Sequence, residues 1–415
     1  TATLVSWLLL LSLQARNPMI LHSGDHLLGL LLFWGIFLPL GARWSIDAAR
    51  VDRDCDDGGS TVTSIASLAL LAQVLVVYIT NAIFKSRGEP WMSGDALAMV
   101  YQVDHYTILL GNVLATYPGL LEWLTATWTV LLFSSPLLLL LTGARRALLT
   151  TLFIGAHLGM ALSINVSIFP FVSVVGLLVY YPPGVWDALA RVADRTRVPD
   201  RARVARARFL AFMSTFTPSS SGSVISRLSW ARTQFDRAWG VVSLVIPYVF
   251  LVLILTSSAA SVGYASVPET GEDVAELTET DQHWSMFAPD PLHTTRWYAA
   301  PGKLESGEYV DILHESDVIF DPPGDNVSEV SGEHFDRPER IEATYPSARY
   351  RKYLMNVQFT DNEHHRSYVA NYLCTRWNRQ HDTTVESVSL WGMAEQTHPS
   401  NGTVKFDREY QLIEY

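Results

Sequence analysis

The sequence predicts an α-helical multi-pass membrane bundle followed by a mainly β, acidic C-terminal domain. Residues 1–260 contain nearly all of the long apolar runs, several of them close to the roughly 20 residues that a bilayer core requires. Residues 261–415 contain 27 of the 41 acidic residues but only 12 lysines and arginines, which is typical of a soluble surface. We therefore predict two domains, at 1–260 and 261–415.

Seven apolar runs are predicted to be membrane helices, because a backbone inside lipid must satisfy its own hydrogen bonds. They cover residues 1–13, 26–43, 62–84, 123–142, 147–163, 165–181 and 238–259. The first run is short, and we interpret it as a span whose start is missing rather than a signal peptide. The apolar segment 93–118 contains Asp95, Asp104 and His105, so we predict a re-entrant or interfacial course for it.

The placement of arginine predicts the orientation, because cytoplasmic loops are enriched in basic residues. Residues 187–237 contain ten arginines and are expected in the cytoplasm. The last span then runs outward, so the acidic domain is expected to be extracytoplasmic, with Lys85 on the same side. Cys55 would be cytoplasmic and Cys374 external, so we expect no disulfide between them.

Alternating apolar and polar residues predict strands in the C-terminal domain. The alternation occurs in "YLMNVQF" (353–359) and in "VESVSLWGM" (385–393). The acidic balance argues against a nucleic-acid partner, and together with the scarcity of lysine it favours a halophilic, archaeal source.

Lys85 is the first candidate for chemistry, because only four of the 30 basic residues are lysines. It lies where an apolar run ends, in "VVYITNAIFKSRGEPW". A lysine at a helix end often extends its ammonium to the membrane interface. The alternative is a desolvated amine that is neutral often enough to act as a base. The scarcity of lysine favours the base, since arginine would reach the interface equally well but cannot become neutral.

His157 is the second candidate, because it lies inside an apolar run and ionisable groups within membranes are usually functional. The alternative is a core histidine that is hydrogen-bonded to a neighbouring helix. Asn165 follows eight residues later and is predicted to share a helix face with it. The sequence contains no phosphate-binding loop, no nucleophile elbow and no cluster of metal ligands.

Four stretches resemble the vitamin K-dependent γ-carboxylase-like family, also called the horizontally transferred transmembrane (HTTM) family. In chain order they are "RWSID", "YITNAIFKSRGEPWMSG", "AHLGMALSINVSIFPFV" and "DQHWSMFAPDP". The resemblance covers about residues 16–300. Lys85, Trp91 and Gly94 match the family's catalytic lysine, tryptophan and glycine, with one residue of difference in spacing.

The resemblance implies a membrane carboxylase, a lyase of the carbon–carbon type. Lys85 would deprotonate reduced vitamin K or menaquinol, which with O₂ gives a stronger base. That base removes a γ-proton from a peptide glutamate, and the carbanion takes up CO₂. The implied partners are membrane lipid, the quinone and a secreted or membrane-anchored peptide. Trp91, Tyr101 and Tyr106 are candidates to stack on the quinone ring, with Asn165 as a further cofactor-binding candidate; the aromatic residues fit the membrane's aromatic belt equally well.

One position departs from the family pattern. A histidine at the entry to the second span aligns with Gly24, and His22, two residues away, is the candidate substitute. His157 matches a family histidine to which we assign no role. Two alternatives to a carboxylase therefore stay open: a peptide-maturation or binding protein without carboxylation, and a non-enzymatic quinone carrier or sensor.

Overall fold

The computed structural model of the chain describes residues 2–42, 62–195, 225–266, 284–317, 341–360, 362–397 and 404–414. Helices form the described residues up to Ser261, and every strand in the described part follows later. The predicted helical N-terminal region and C-terminal β region are therefore confirmed. Cys55 lies outside the described residues, and Cys374 has a free, half-buried thiol.

Two helices begin the chain. Helix α1 (Ala2–Arg16) and helix α2 (Ser23–Ile36) pack against each other and are joined through a 3₁₀ turn at Pro18–Ile20. The Asp25 carboxylate accepts the backbone N–H of His22 at 2.9 Å, which caps the start of α2. Gln14 Nε2 donates to the carbonyl of Asp25 at 3.0 Å and ties the two helices together.

Helix α3 (Ile65–Ser86) begins at Ser64, whose hydroxyl accepts the N–H of Ser67. Three short helices follow: α4 (Glu89–Ser93), α5 (Ala96–Val100) and α6 (Leu110–Leu114). None of them is long enough to cross a bilayer, which agrees with the predicted non-spanning course of 93–118.

The remaining helices of the N-terminal region are α7 (Pro118–Phe133), α8 (Leu137–Leu140), α9 (Gly143–Ser163), α10 (Phe169–Leu177), α11 (Pro183–Arg195) and α12 (Ile225–Ser261). By length and composition, three described helices can cross a membrane: α3, α9 and the 238–261 part of α12. A fourth span results if α10 and α11, which are bent by 103°, count as one.

The described helices match the predicted spans at 62–84, 147–163 and 238–259. The predicted span at 123–142 is interrupted, because α7 ends at Phe133 and a turn containing Pro136 precedes α8. The predicted span at 26–43 corresponds to α2, which ends earlier, at Ile36.

Six antiparallel strands form the C-terminal sheet: β1 (Thr294–Ala299), β2 (Pro301–Leu304), β3 (Tyr309–Asp311), β4 (Ser316–Asp317), β5 (Val385–Thr397) and β6 (Val404–Glu414). The long strand β5 is central, because it pairs with β1, β2 and β6. Its sequence includes "VESVSLWGM", so that strand prediction is confirmed.

Two helices cover this sheet, α13 (Ala348–Phe359) and α14 (Glu363–Gln380). The strand prediction for "YLMNVQF" is wrong, because these residues belong to α13. Leu354 and Val357 are three residues apart, which places them on one helix face, and both are buried in the core with Leu390 and Met393 of β5. The C-terminal region 261–415, called the head below, therefore contains these two helices in addition to the predicted β structure.

Two of the contacts between the head and the helical region come from α13 and from β1. Arg349 of α13 forms an ion pair with Asp25 at 2.6 Å, and Asn356 donates to the carbonyl of Met19 at 2.6 Å. In β1, the N–H of Arg296 donates to Nδ1 of His105 at 3.3 Å. Burial, with Arg351 and Arg296 nearby, holds the pKa of His105 well below its usual value, which keeps this nitrogen free to accept.

Candidate functional site

Lys85 lies in the last turn of α3 and is only 2% exposed. Its Nζ donates to the carbonyl of Met286 at 3.1 Å and lies 3.2 Å from the centroid of the Trp91 ring. Among the described residues no carboxylate forms an ion pair with it. The amine therefore points into the protein, which rules out a lysine that extends to the membrane interface.

A segment at 284–289, called the strap below, crosses over this amine. Asn81 lies one turn before Lys85, and its Nδ2 donates to the carbonyls of Trp284 at 3.0 Å and Ser285 at 2.9 Å. Trp91 Nε1 donates to the carbonyl of Phe287 at 2.8 Å. The strap is thus held by three side chains of one short stretch, 81–91.

The strap has an unusual backbone. Met286 and Phe287 both adopt positive φ, 21° and 59°, which costs energy for residues other than glycine. Gly88 allows the close approach of the strap to α3, because a Cβ there would overlap the carbonyl of Pro289. Two of the stretches that carry the family resemblance, around Lys85 and "WSMFAPDP", are therefore in direct contact.

A cavity of about 1340 Å³ lies beside Lys85 and has a mostly apolar lining. Six of the seven predicted site residues line it: His22, Lys85, Trp91, Tyr101, Tyr106 and His157. They come from four separate parts of the chain, so the fold joins residues that the sequence presents far apart.

The cavity extends to the outer surface between α7 and α9. Trp123 and Val130 of α7 and Leu152 of α9 line it and are 63%, 68% and 52% exposed. Apolar side chains exposed on helices of this kind face lipid if the helices lie in a membrane. The opening would therefore face the bilayer if α7 and α9 lie in a membrane.

His157 is fully buried in α9, and its Nε2 lies 2.8 Å from the hydroxyl of Tyr78 on α3. The rings of Trp128 and Phe169 each lie 5.7 Å away. Its Nδ1 has no hydrogen-bond partner within the described part of the chain. The histidine thus makes the interhelical bond expected of a core residue and also faces the cavity.

Asn165 is the predicted site residue that does not line the cavity. Helix α9 ends at Ser163, and Ile164 is extended and pairs with Thr107, so Asn165 does not share a helix face with His157. Its N–H donates to the carbonyl of Tyr106 at 2.7 Å, and it is not among the residues that line the cavity. The prediction of a common helix face is wrong.

His22 lies at the N-cap of α2 and lines the cavity, whereas Gly24 has no room for a side chain. A Cβ at Gly24 would lie 2.6 Å from the backbone nitrogen of Phe169. Burial, followed by the nearby charge of Lys352, lowers the pKa of His22 to about 4. His22 is therefore a neutral imidazole at physiological pH.

Three polar residues of the cavity lining were not predicted from the sequence: Tyr78, Asn81 and Lys352. Asn81 follows Tyr78 by three residues and precedes Lys85 by four, so the three side chains share one face of α3. Polar groups on such an apolar helix were a signal that the sequence already contained. Lys352 is one of the four lysines, so the scarcity that drew attention to Lys85 applied to it as well.

Comparison with known proteins gives one match. Residues 9–186 match the model of the HTTM domain. No curated protein and no solved structure matches the chain.

Proposed function

Since residues 9–186 form an HTTM domain, a family linked to vitamin K-dependent carboxylase-like proteins, we propose that this chain is a multi-pass membrane enzyme that uses a reduced naphthoquinone to carboxylate glutamate in peptides. The observation that carries the proposal is the buried amine of Lys85, which meets an apolar, aromatic-lined cavity that opens between α7 and α9.

The cavity fits the proposed cofactor, vitamin K hydroquinone or menaquinol. The ring system is flat and apolar, and Trp91, Tyr101 and Tyr106 supply aromatic surfaces along the lining. The isoprenoid tail is apolar and suits the opening toward lipid. These three aromatic residues would hold the ring, and Lys85 would meet one of its hydroxyl groups.

Lys85 is suited to take a proton in this position. A lysine acts as a base only when its amine is uncharged, and burial of Lys85, which is 2% exposed, favours the uncharged form. The carbonyl of Met286 orients the amine by accepting a hydrogen bond, which leaves the nitrogen lone pair to face elsewhere. Asn81 and Trp91 act as positioning residues, because they fix the strap that carries this carbonyl.

The bound quinol, together with O₂, supplies the strong base that the γ-proton of glutamate requires. The chain provides a mostly apolar cavity, a proton acceptor in Lys85 and a neutral imidazole in His22. The carboxylated product forms when the γ-carbon, after losing its proton, bonds to CO₂. The end of α12 lies close to Lys85, because Arg87 donates to the carbonyl of Val262. With the arginine-rich segment 187–237 in the cytoplasm, we infer that Lys85 and the head both lie on the extracytoplasmic side, where secreted or membrane-anchored peptides are available.

The experiment compares the wild-type chain with Lys85→Ala in lipid nanodiscs. Oxidation of menaquinol and incorporation of radiolabelled bicarbonate into a glutamate-containing peptide are measured together. We expect Lys85→Ala to lose both activities, while Lys303→Ala, a half-buried lysine of the head outside the cavity, retains them. Unchanged turnover in Lys85→Ala would remove Lys85 as the base.

The alternative is a family member that binds quinone or peptide without carboxylation. It is favoured by Gly24, since the family's histidine has no room there. Mass spectrometry separates the two functions: epoxide and carboxylated peptide support the carboxylase, whereas co-purified naphthoquinone with neither product supports the alternative.

A further inference from the structure

Lys352 reaches the same cavity as Lys85, although it belongs to a different domain. It lies on α13 of the head and is half-buried at the cavity lining, near His22. Two of the chain's four lysines therefore face one cavity, the first from the membrane helices and the second from the head.

Lys352 has no partner in the described part of the chain. No hydrogen bond from its side chain and no ion pair is formed there, and the one carboxylate in the described lining, Asp290, is not paired with it. Burial and then the charge of Arg351 lower its pKa, as expected for a cation that lacks a counter-ion.

Arg351, the residue before Lys352, adds a second positive charge that forms no ion pair among the described residues. It is 2% exposed, and its guanidinium contacts the ring of Tyr106, with 5.0 Å between Cζ and the ring centroid. Its Nη1 has no hydrogen-bond partner among the described residues. Buried cations without partners are costly, so this side of the cavity is arranged to receive a negative group.

We propose that Lys352 binds the carboxylate of the peptide substrate and thereby selects acidic side chains at the head side of the cavity. This inference rests on the proposed function and deepens it, because it names the residue that recognises the substrate. A lipid phosphate carries a similar charge, but Lys352 comes from the head, whereas the lipid-facing opening lies between α7 and α9. The position of Lys352 therefore favours a peptide over a lipid headgroup.

The test measures binding of two fluorescent peptides to the full chain in phosphatidylcholine nanodiscs. Both are tripeptides with blocked termini, Leu-Glu-Leu and Leu-Gln-Leu. They differ only in the central side chain, which ends in a carboxylate in the first and in an amide in the second. A charge-assisted hydrogen bond predicts that the wild-type chain binds the glutamate peptide about tenfold more tightly. We expect the ratio of the two affinities, glutamate peptide over glutamine peptide, to fall close to one in Lys352→Gln and to stay at the wild-type value in Lys352→Arg.

Lys303→Gln is the matched control, because Lys303 belongs to the head but not to the cavity, and it should keep the wild-type ratio. A wild-type ratio near one, or a ratio that survives in Lys352→Gln, would overturn the inference. Loss of the ratio in nanodiscs that contain phosphatidylglycerol would identify a lipid headgroup as the occupant and would overturn it too.

The binding ratio is measured without quinol, so the recognition by Lys352 is tested independently of turnover. A chain that prefers the glutamate peptide but never carboxylates it refutes the proposed function alone. A chain that carboxylates while Lys352→Gln keeps the ratio refutes the recognition by Lys352 alone.

Discussion

The replacement Asn81→Ala is expected to release the strap from Lys85. Asn81 Nδ2 donates to the carbonyls of Trp284 and Ser285, at 3.0 and 2.9 Å, and it is 3% exposed. Each bond contributes about 1 kcal/mol, so the variant loses about 2 kcal/mol of strap closure. A change of this size raises the population of the open strap about 30-fold. The positive φ angles of Met286 and Phe287 add to the tendency to open once these bonds are gone.

The assay is acylation of lysines by a small water-soluble reagent, followed residue by residue with mass spectrometry. Lys85 is labelled only from the open state, since it is 2% exposed, so its labelling rate follows the open population. We expect the rate at Lys85 to rise about 30-fold in Asn81→Ala, while Lys303 keeps its wild-type rate. Asn371→Ala removes an exposed asparagine of the head and serves as the control variant.

A Lys85 labelling rate within about twofold of wild type in Asn81→Ala would refute this reasoning, since two hydrogen bonds of ordinary strength predict a far larger change. Equal increases at Lys85 and Lys303 would indicate general unfolding and would refute it as well.

Three further predictions concern the contacts around α2. His22 has a folded-state pKa of about 4, below its unfolded value of 6.5, so its stabilising contribution is full above pH 6.5 and is lost as the pH falls toward 4. On acidification, the thermal unfolding temperature should therefore fall less in His22→Gln than in wild type, and equal decreases would contradict this. Gly24→His, which restores the family's histidine, should destabilise the chain by about 1–3 kcal/mol in denaturant unfolding because the backbone of Phe169 blocks the side chain; a stable, more active variant would show the opposite. Asp25→Asn removes the 2.6 Å ion pair with Arg349 and should cost about 1 kcal/mol, measured as faster proteolysis at the head, with an unchanged cleavage rate counting against it.

The sequence identified residues of the cavity lining where a residue was chemically out of place. Lys85 and His157 are ionisable groups in apolar runs, and both line the cavity. Trp91 follows Lys85 by only six residues, so the sequence alone already predicts that the two side chains lie close together. These signals are local, and a single sequence is enough to detect them.

The prediction failed where a long-range contact decided the local structure. Helix α9 ends at Ser163, Ile164 is extended and pairs with Thr107, and Asn165 therefore does not continue the helix face of His157. Lys352 was missed for a related reason. The alternation at 353–359 suggested a strand, and only packing against β5 shows that this stretch is helical and carries Lys352 to the cavity.

The contact between the head and residues 17–25 has a consequence for the biogenesis of the protein. Met19 packs against the head's core, and its carbonyl accepts a bond from Asn356, more than 300 residues later in the chain. The ribosome therefore delivers the N-terminal helices to the membrane long before their partner exists. The strap and Lys352 are also translated late, so Lys85 has no cover in the nascent chain, and the cavity lining is complete only after α13 has been translated.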